Sequence, residues 1–266
     1  MTAAPDLLGT IVAATRRIVE VREAAKPARA LTAEQTRTPE GVAFERALRR
    51  NGSTAGPRII AECKRRSPSR GILRADYVPA EHARAYADGG AVAISVLTEP
   101  TFFDGAPDHL RQVRAAVDLP LLRKDFIVTE YQLVEAVALG ADAVLLIVGA
   151  LEQGELTALL RAAEKLSLAS LVEVHDLDEL RRAVDAGARI IGVNSRNLRT
   201  LSVEPAVLDR VAAELPPGAT AVAESGIRTT EDIARLSRAG YHAFLVGERL
   251  IAQPDPGAAL RELQCA

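Results

Sequence analysis

The sequence predicts an α/β protein, a closed (β/α)8 barrel with an N-terminal helical extension, and three observations carry that reading. Eight short apolar runs alternate with helical patterns from about residue 58 onward. A glycine joint recurs ahead of four of those runs. The length, 266 residues, suits the roughly 250 of a single barrel and lets a chain bury its core without staples.

In chain order, residues 1–55 read as a helical extension packed on the barrel, and residues 56–266 as the barrel, a single domain in all. Leu7, Leu8, Ile11, Val12, Ile18, Val19 and Val21 recur at helical spacing, and Pro27 and Pro39 interrupt the pattern. Phe44 and Leu48 mark a second short helix, stopped near Asn51-Gly52. The runs are Ile59–Cys63, Ala91–Leu97, Leu119–Leu122, Ala143–Val148, Ala169–Val174, Ile190–Val193, Ala221–Ala223 and Ala243–Val246. Most lack polar alternation, as strands of a parallel sheet covered on both faces do. Between them lie helical stretches such as Glu152–Leu166, Asp178–Ala186 and Thr230–Ala239. Gly90, Gly140, Gly187 and Gly240 each precede a run, where a left-handed residue stops a helix before a tight turn. An open doubly wound sheet is the alternative, but no GxGxxG follows the first run and eight units are many for it.

Composition excludes several classes. Hydrophobic residues make up 48% and charged residues 26%, a globular balance. A net charge of −2 argues against a nucleic-acid binder that lives on counterion release. No apolar run approaches the ~20 residues of a membrane span, and the first residues lack the basic and apolar regions of a signal peptide. Cys63 and Cys265 lie too far apart for a disulfide scaffold or a CxxC metal site, which fits a reducing cytoplasm. Lysine is scarce: Lys26, Lys64, Lys124 and Lys165 stand against 29 arginines. GC-rich codon usage is the plain reading of the trend, and where Arg has so often replaced Lys the surviving lysines become informative. Arg stays protonated in proteins, whereas Lys can shed its proton when desolvated.

In a barrel of this kind the active site sits where the strands end. Those ends are rich in charged and amide groups: Glu62-Cys63-Lys64, Thr98-Glu99-Pro100, Arg123-Lys124-Asp125, Glu173 with His175, Asn194-Ser195-Arg196 and Glu224-Ser225-Gly226. Glu62 and Lys64 are two apart and so point the same way, with Cys63 opposed. Two lysines aimed into a barrel mouth among carboxylates can hold and donate protons. A structural ion-pair network is the competing reading. Ser225-Gly226 and Gly247-Glu248 follow the last two runs, the usual phosphate position of the fold. The Glu248 side chain is ill suited to a phosphate, so its backbone N–H is the better candidate. The loop Arg65-Arg66-Ser67-Pro68-Ser69-Arg70-Gly71 reads as a lid or anion-contacting loop, and Phe102-Phe103 as contacts for a flat apolar group. His175 lacks a second ligand at metal spacing and reads as structural.

Taken together, these segments resemble the indole-3-glycerol-phosphate synthases. The similarity runs through Ala61–Gly71, Leu97-Thr98-Glu99 with Phe103, Leu122–Phe126, Leu171–His175, Gly192–Leu198, Ala223–Ile227 and Leu245-Val246-Gly247, in the family's order, over about residues 55 to 250. The helical extension is similar too. The resemblance implies ring closure, decarboxylation and dehydration of 1-(2-carboxyphenylamino)-1-deoxyribulose 5-phosphate. It implies that Lys124 protonates the developing alkoxide, that Lys64 and Glu62 serve dehydration, and that Glu173 and Asn194 complete the catalytic set. Arg196 matches a group near the substrate carboxylate. Phe103, Phe126 and Leu198 match the wall around the anthranilate ring, and Ser67 lies near the phosphate, whose cradle matches Ser225, Gly226, Gly247 and Glu248. A lysine pKa lowered toward neutrality is the physical requirement. No cofactor and no metal are implied, because the aromatic amine supplies the electrons. The implied partner is a small phosphorylated molecule, with no nucleic acid and no membrane, acting on a cytoplasmic monomer or weak homo-oligomer.

The departures are Arg70 in place of a common Lys, Asp104 and Ala106 where Gly and Ser are common, Cys63 for an aliphatic residue, and Glu248 for a common Ser. Competing readings are a barrel like phosphoribosylanthranilate isomerase and a catalytically silent paralogue. The first uses a Cys/Asp pair in place of this Glu/Lys set. The second has no physical reason to keep buried charges, which are costly to hold.

Overall fold

The structure, a computed structural model, describes residues 6–49 and 56–265. The turn expected at Asn51-Gly52 lies outside the described residues. Eight parallel strands close into a barrel: β1 (Arg58–Cys63), β2 (Ala93–Leu97), β3 (Leu121–Lys124), β4 (Ala143–Ile147), β5 (Ala169–Val174), β6 (Ile190–Asn194), β7 (Thr220–Glu224) and β8 (Ala243–Val246), with β8 pairing back onto β1. The expected fold class holds.

Strand edges differ from the sequence reading at β2 and β3. Ala91-Val92 stays outside β2, because the Ala91 N–H donates to the Tyr86 carbonyl at the end of the preceding helix. β3 starts two residues later than expected. Pro120, which has no N–H to give, contributes only its carbonyl, to Ile94. The shift makes Lys124 the last residue of β3, so its inward direction follows from strand phase.

That phase divides the core. Ile59, Ala61, Cys63, Ile94, Val96, Val172, Val174, Ile191 and Val193 pack outward against the helices. Ile60, Ala93, Leu122, Leu145, Leu171, Val222 and Leu245 fill the barrel interior. Strands buried on both faces read as unbroken apolar runs for this reason.

Three helices precede the barrel: α1 (Leu7–Ala25), α2 (Ala28–Ala33) and α3 (Gly41–Leu48). Asp6 starts α1 by accepting the Gly9 N–H at 3.1 Å. Leu8 and Ile11 of α1 join the apolar cluster that contains Phe126 and Ile147 at the mouth. Phe44 and Leu48 of α3 are wholly buried in the same cluster, whose lower members start the strands. Gly41 brings α3 that close: a Cβ there would meet the backbone at Ser167 and Ala169. The outer ring comprises α4 (Pro79–Asp88), α5 (Pro107–Ala116), α6 (Glu130–Leu139), α7 (Gln153–Lys165), α8 (Leu177–Asp185), α9 (Ala206–Ala212), α10 (Thr230–Arg238), α11 (Glu248–Ile251) and α12 (Pro256–Gln264). No described helix is long and apolar enough to cross a membrane. The loop after β1 folds as a small hairpin, Arg66–Ser67 pairing antiparallel with Gly71–Ile72, and Arg65 ties it to Asp104 of the loop after β2.

Candidate active site

The top interior layer of the barrel is ionic where the layers below are apolar. Glu62, Lys124, Glu173, Asn194 and Glu224 are the last inward-facing residues of five strands, and Lys64 follows β1 in the same phase. Lys124 Nζ sits among three carboxylates: Glu224 Oε2 at 2.9 Å, Glu62 Oε2 at 3.6 Å and Glu173 Oε2 at 3.8 Å. Lys64 Nζ donates to Glu62 Oε1. All three carboxylates are almost fully buried. A buried charge is tolerable only when it is paired, and this cluster pairs each one.

The electrostatics follow from who neighbours whom. Burial alone would strip the proton from Lys124, but Glu224, Glu62 and Glu173 outweigh it and hold the ammonium well above its ordinary range. This corrects the sequence expectation of a lysine lowered toward neutrality: three carboxylates within 3.8 Å overrule desolvation. Burial pushes the Glu62 carboxyl up, but Lys64 and Lys124 more than reverse that. Glu173 is likewise held low against burial, by His175, Lys124 and Asn194. Glu224 goes the other way. Burial raises it, and Lys124 alone does not offset burial plus the nearby Glu173.

Two glycines make room for these groups. A Cβ on Gly247 would run into the Glu62 carboxylate, and one on Gly192 into that of Glu224. Gly247 has φ −123°, which any residue adopts, so close approach is what requires glycine there. The sequence reading gave Gly247 to the phosphate and did not foresee this second reason.

Above the charges lies a cavity of about 440 Å³; every residue the family resemblance implies for the site lines it, whereas Phe102, read with Phe103 as a contact for a flat group, does not. Phe103 and Phe126 face each other with ring centroids 6.2 Å apart, and Leu198 adds to the apolar wall. Glu99 is not part of the cluster. Its carboxylate accepts the N–H groups of Thr101, Phe102 and Phe103 at 2.7–3.0 Å and so fixes the loop that carries Phe103. On the other side, Ser225 and Gly226 are both left-handed, with φ 65° and 73°. Ser195 Oγ donates to the Ser225 carbonyl at 3.1 Å and holds that turn. The Glu248 side chain leaves the amides free by turning onto two guanidiniums, Arg70 at 2.7 Å and Arg196 at 3.5 Å. Arg196 also donates to Ser69 Oγ at 3.1 Å, drawing the hairpin over the mouth.

Behind β3 the chain uses its opposite phase. Arg123 is wholly buried and points away from Lys124. It donates to Asp125 (2.9 Å), Glu135 (2.6 Å), the Gln132 carbonyl (2.9 Å) and Thr98 Oγ1 (3.1 Å). Arg22 of α1 reaches the same Glu135 at 3.2 Å, tying the extension to the strand that ends in Lys124.

Sequence reasoning missed Glu224 as a site residue. The signal was present: Val222 is an interior residue, and Glu224 is two beyond it. It also missed that His175 touches Glu173, which shared phase again foretells. Arg70, read as part of a basic loop and as a departure from a common Lys, gives no sequence sign of its pair with Glu248.

A family model described as indole-3-glycerol phosphate synthase matches residues 8–263. The chain is 45% identical over 258 residues to an indole-3-glycerol phosphate synthase of Albidiferax ferrireducens, covering 97% of this chain and 98% of that protein. It is 48% identical to one from Mycolicibacterium vanbaalenii, covering 98% and 94%. It is 54% identical over 211 residues to the indole-3-glycerol phosphate synthase 1 of Streptomyces coelicolor, covering 79% and 78%. Among solved structures, a 3-hexulose-6-phosphate synthase superposes with a TM-score of 0.61 at 15% identity, over 78% of this chain and 98% of that one. A thiamine phosphate pyrophosphorylase from Pyrococcus furiosus gives 0.60 at 19%, over 78% and 94%. Those two likenesses establish the barrel alone. By its family model and its close relatives, this chain belongs to the indole-3-glycerol phosphate synthase family, carboxy-lyases of tryptophan biosynthesis.

Proposed function

We propose that the ionic layer performs the family's reaction on 1-(2-carboxyphenylamino)-1-deoxyribulose 5-phosphate, giving indole-3-glycerol phosphate, CO2 and water. The ring carbon that bears the carboxylate attacks the ribulose carbonyl. A C–C bond forms, and the carbonyl oxygen takes a proton from Lys124. The C–CO2 bond then breaks, and its electron pair restores aromaticity. Lys64 protonates the hydroxyl as it leaves, and a carboxylate, Glu62 or Glu173, removes the last proton. Asn194 supports Glu173 in this traffic.

The observation that carries the proposal is Lys124 ringed by three buried carboxylates under a partly apolar cavity. The ammonium carries its proton when substrate arrives, and the alkoxide that develops on the carbonyl oxygen is basic enough to take it. Phe103, Phe126 and Leu198 offer the anthranilate ring a flat apolar wall. Arg196 offers a fork to its carboxylate. Ser67, the amides of Ser225 and Gly226, and those at Gly247 and Glu248 take the phosphate. The enzyme works in the cytoplasm as a monomer or weak homo-oligomer, consistent with two free cysteines. The test is inhibition: inorganic phosphate should compete with substrate, and Gly226→Ala, strained at φ 73°, should displace that amide and weaken phosphate and substrate together. Phosphate that inhibits without competing would refute the cradle.

A further inference from the structure

His175 follows β5 directly and stands two residues beyond Glu173. Its Nε2 lies 3.3 Å from Glu173 Oε1, an ionic contact without hydrogen-bond geometry, and its Nδ1 hydrogen-bonds Glu179 Oε2 at 3.0 Å. That same Glu179 oxygen accepts the His175 backbone N–H at 2.8 Å. Glu179 is fixed in turn in the first turn of α8, where its own N–H donates to the N-cap Asp176 at 2.8 Å. The charged groups facing the ring are thus Glu173 from β5 and Glu179 from α8, with Lys124 of β3 beyond Glu173. A neutral imidazole has one N–H and would turn a lone pair toward one of these carboxylates. Only the imidazolium turns a positive N–H edge toward each: hydrogen-bonded to Glu179 and in ionic contact with Glu173.

Resting on the reading of this mouth as the catalytic site, we propose that His175 is a positioning residue: an imidazolium clamped between Glu179 and Glu173 that keeps the Glu173 carboxylate ionised and facing Lys124. The partner pattern around Lys124 then decides where the shared proton goes. Glu62 has two cations, Lys64 and Lys124. Glu173 has two, His175 and Lys124. Glu224 has Lys124 alone. The carboxylate with one cation is the one that keeps a proton, which agrees with the upward shift of Glu224 and with His175 pushed up to about 10 by its two carboxylates against burial. The histidine on the rim therefore sets which acid in the cluster is loaded.

The test begins with the imidazole itself. In the 15N-histidine spectrum of the full-length protein, the signal absent from His175→Gln should show both ring nitrogens protonated at pH 8. A neutral tautomer at pH 8 would overturn the proposal, whether or not the enzyme turns over. Kinetics follow. In His175→Gln, Glu173 gains a share of the proton, so the acidic limb of kcat should move up by about one pH unit while KM changes less than about threefold. His175→Asn should behave alike, and Glu179→Gln should shift the limb in the same direction by less. An unmoved limb, or a loss confined to KM, would sink the positioning role. A wild-type enzyme with a protonated His175 and no turnover would instead refute the catalytic reading of the site and leave the clamp standing.

Discussion

Lys124 Nζ and Glu224 Oε2 meet at 2.9 Å across the barrel, from strands that stand opposite each other in the closed sheet. The contact spans 100 residues of sequence, and each partner is the last residue of its strand. It places a protonated lysine above a carboxyl that burial holds toward its neutral form. An acid is thereby kept loaded at the centre of the mouth, at the floor of the cavity.

Lys124→Arg tests the acid. Arg preserves the charge and can still pair with Glu224, but its delocalised guanidinium stays protonated in proteins, whereas a Lys ammonium can hand a proton to a basic oxygen. General acid catalysis contributes about 10²–10⁴-fold, so kcat should fall by at least ~10² with the melting temperature little changed. Steady-state kinetics beside a thermal melt checks this.

Gly247→Ala probes the close approach at β8. The added methyl would displace the Glu62 carboxylate and disturb its pairs with Lys64 and Lys124. A shift on the order of 1 Å in a catalytic group can lose ~10²-fold in rate, so kcat should fall while phosphate still binds. Loss of phosphate binding with normal kcat would return Gly247 to the phosphate role alone.

Arg123→Met addresses stability. The substitution leaves Asp125, and Glu135 apart from Arg22, buried without a cation. Removing one partner of a buried pair costs about 3–5 kcal/mol, which denaturant unfolding will read. Added replacement of Asp125 and Glu135 by apolar residues should recover part of the loss.

The pH dependence of stability follows from His175. Its folded value, about 10, lies above the ordinary 6.5. Its contribution is therefore full below pH 6.5, declines above it, and is lost as pH rises through 10. The stability gap between wild type and His175→Gln, from melts at fixed ionic strength, should close over that window. A gap that widens with pH would contradict the assignment.

Much of this was legible beforehand because barrel strands obey a period of two. The shared phase of Glu62 and Lys64 sets Cys63 against them, and on other strands the interior residues Leu122, Ile190 and Val222 put Lys124, Asn194 and Glu224 at the same face by counting in twos. What escaped was pairing between strands distant in sequence. Nothing near Lys124 announces Glu62, Glu173 and Glu224 around it, and so the direction of its proton affinity was misjudged. Glu99 read as another mouth carboxylate because a strand end does not reveal that a side chain curls back to cap its own loop. Glu248 read as ill placed because Arg70 and Arg196, which hold its side chain, arrive from two other loops.

The most direct measurement mixes purified protein with 1-(2-carboxyphenylamino)-1-deoxyribulose 5-phosphate and follows indole fluorescence. Emission should rise with the wild type and be absent with Lys124→Ala, even though that variant still binds the substrate. Emission undiminished in Lys124→Ala would contradict the central claim that the ammonium ringed by Glu62, Glu173 and Glu224 is the acid of the reaction.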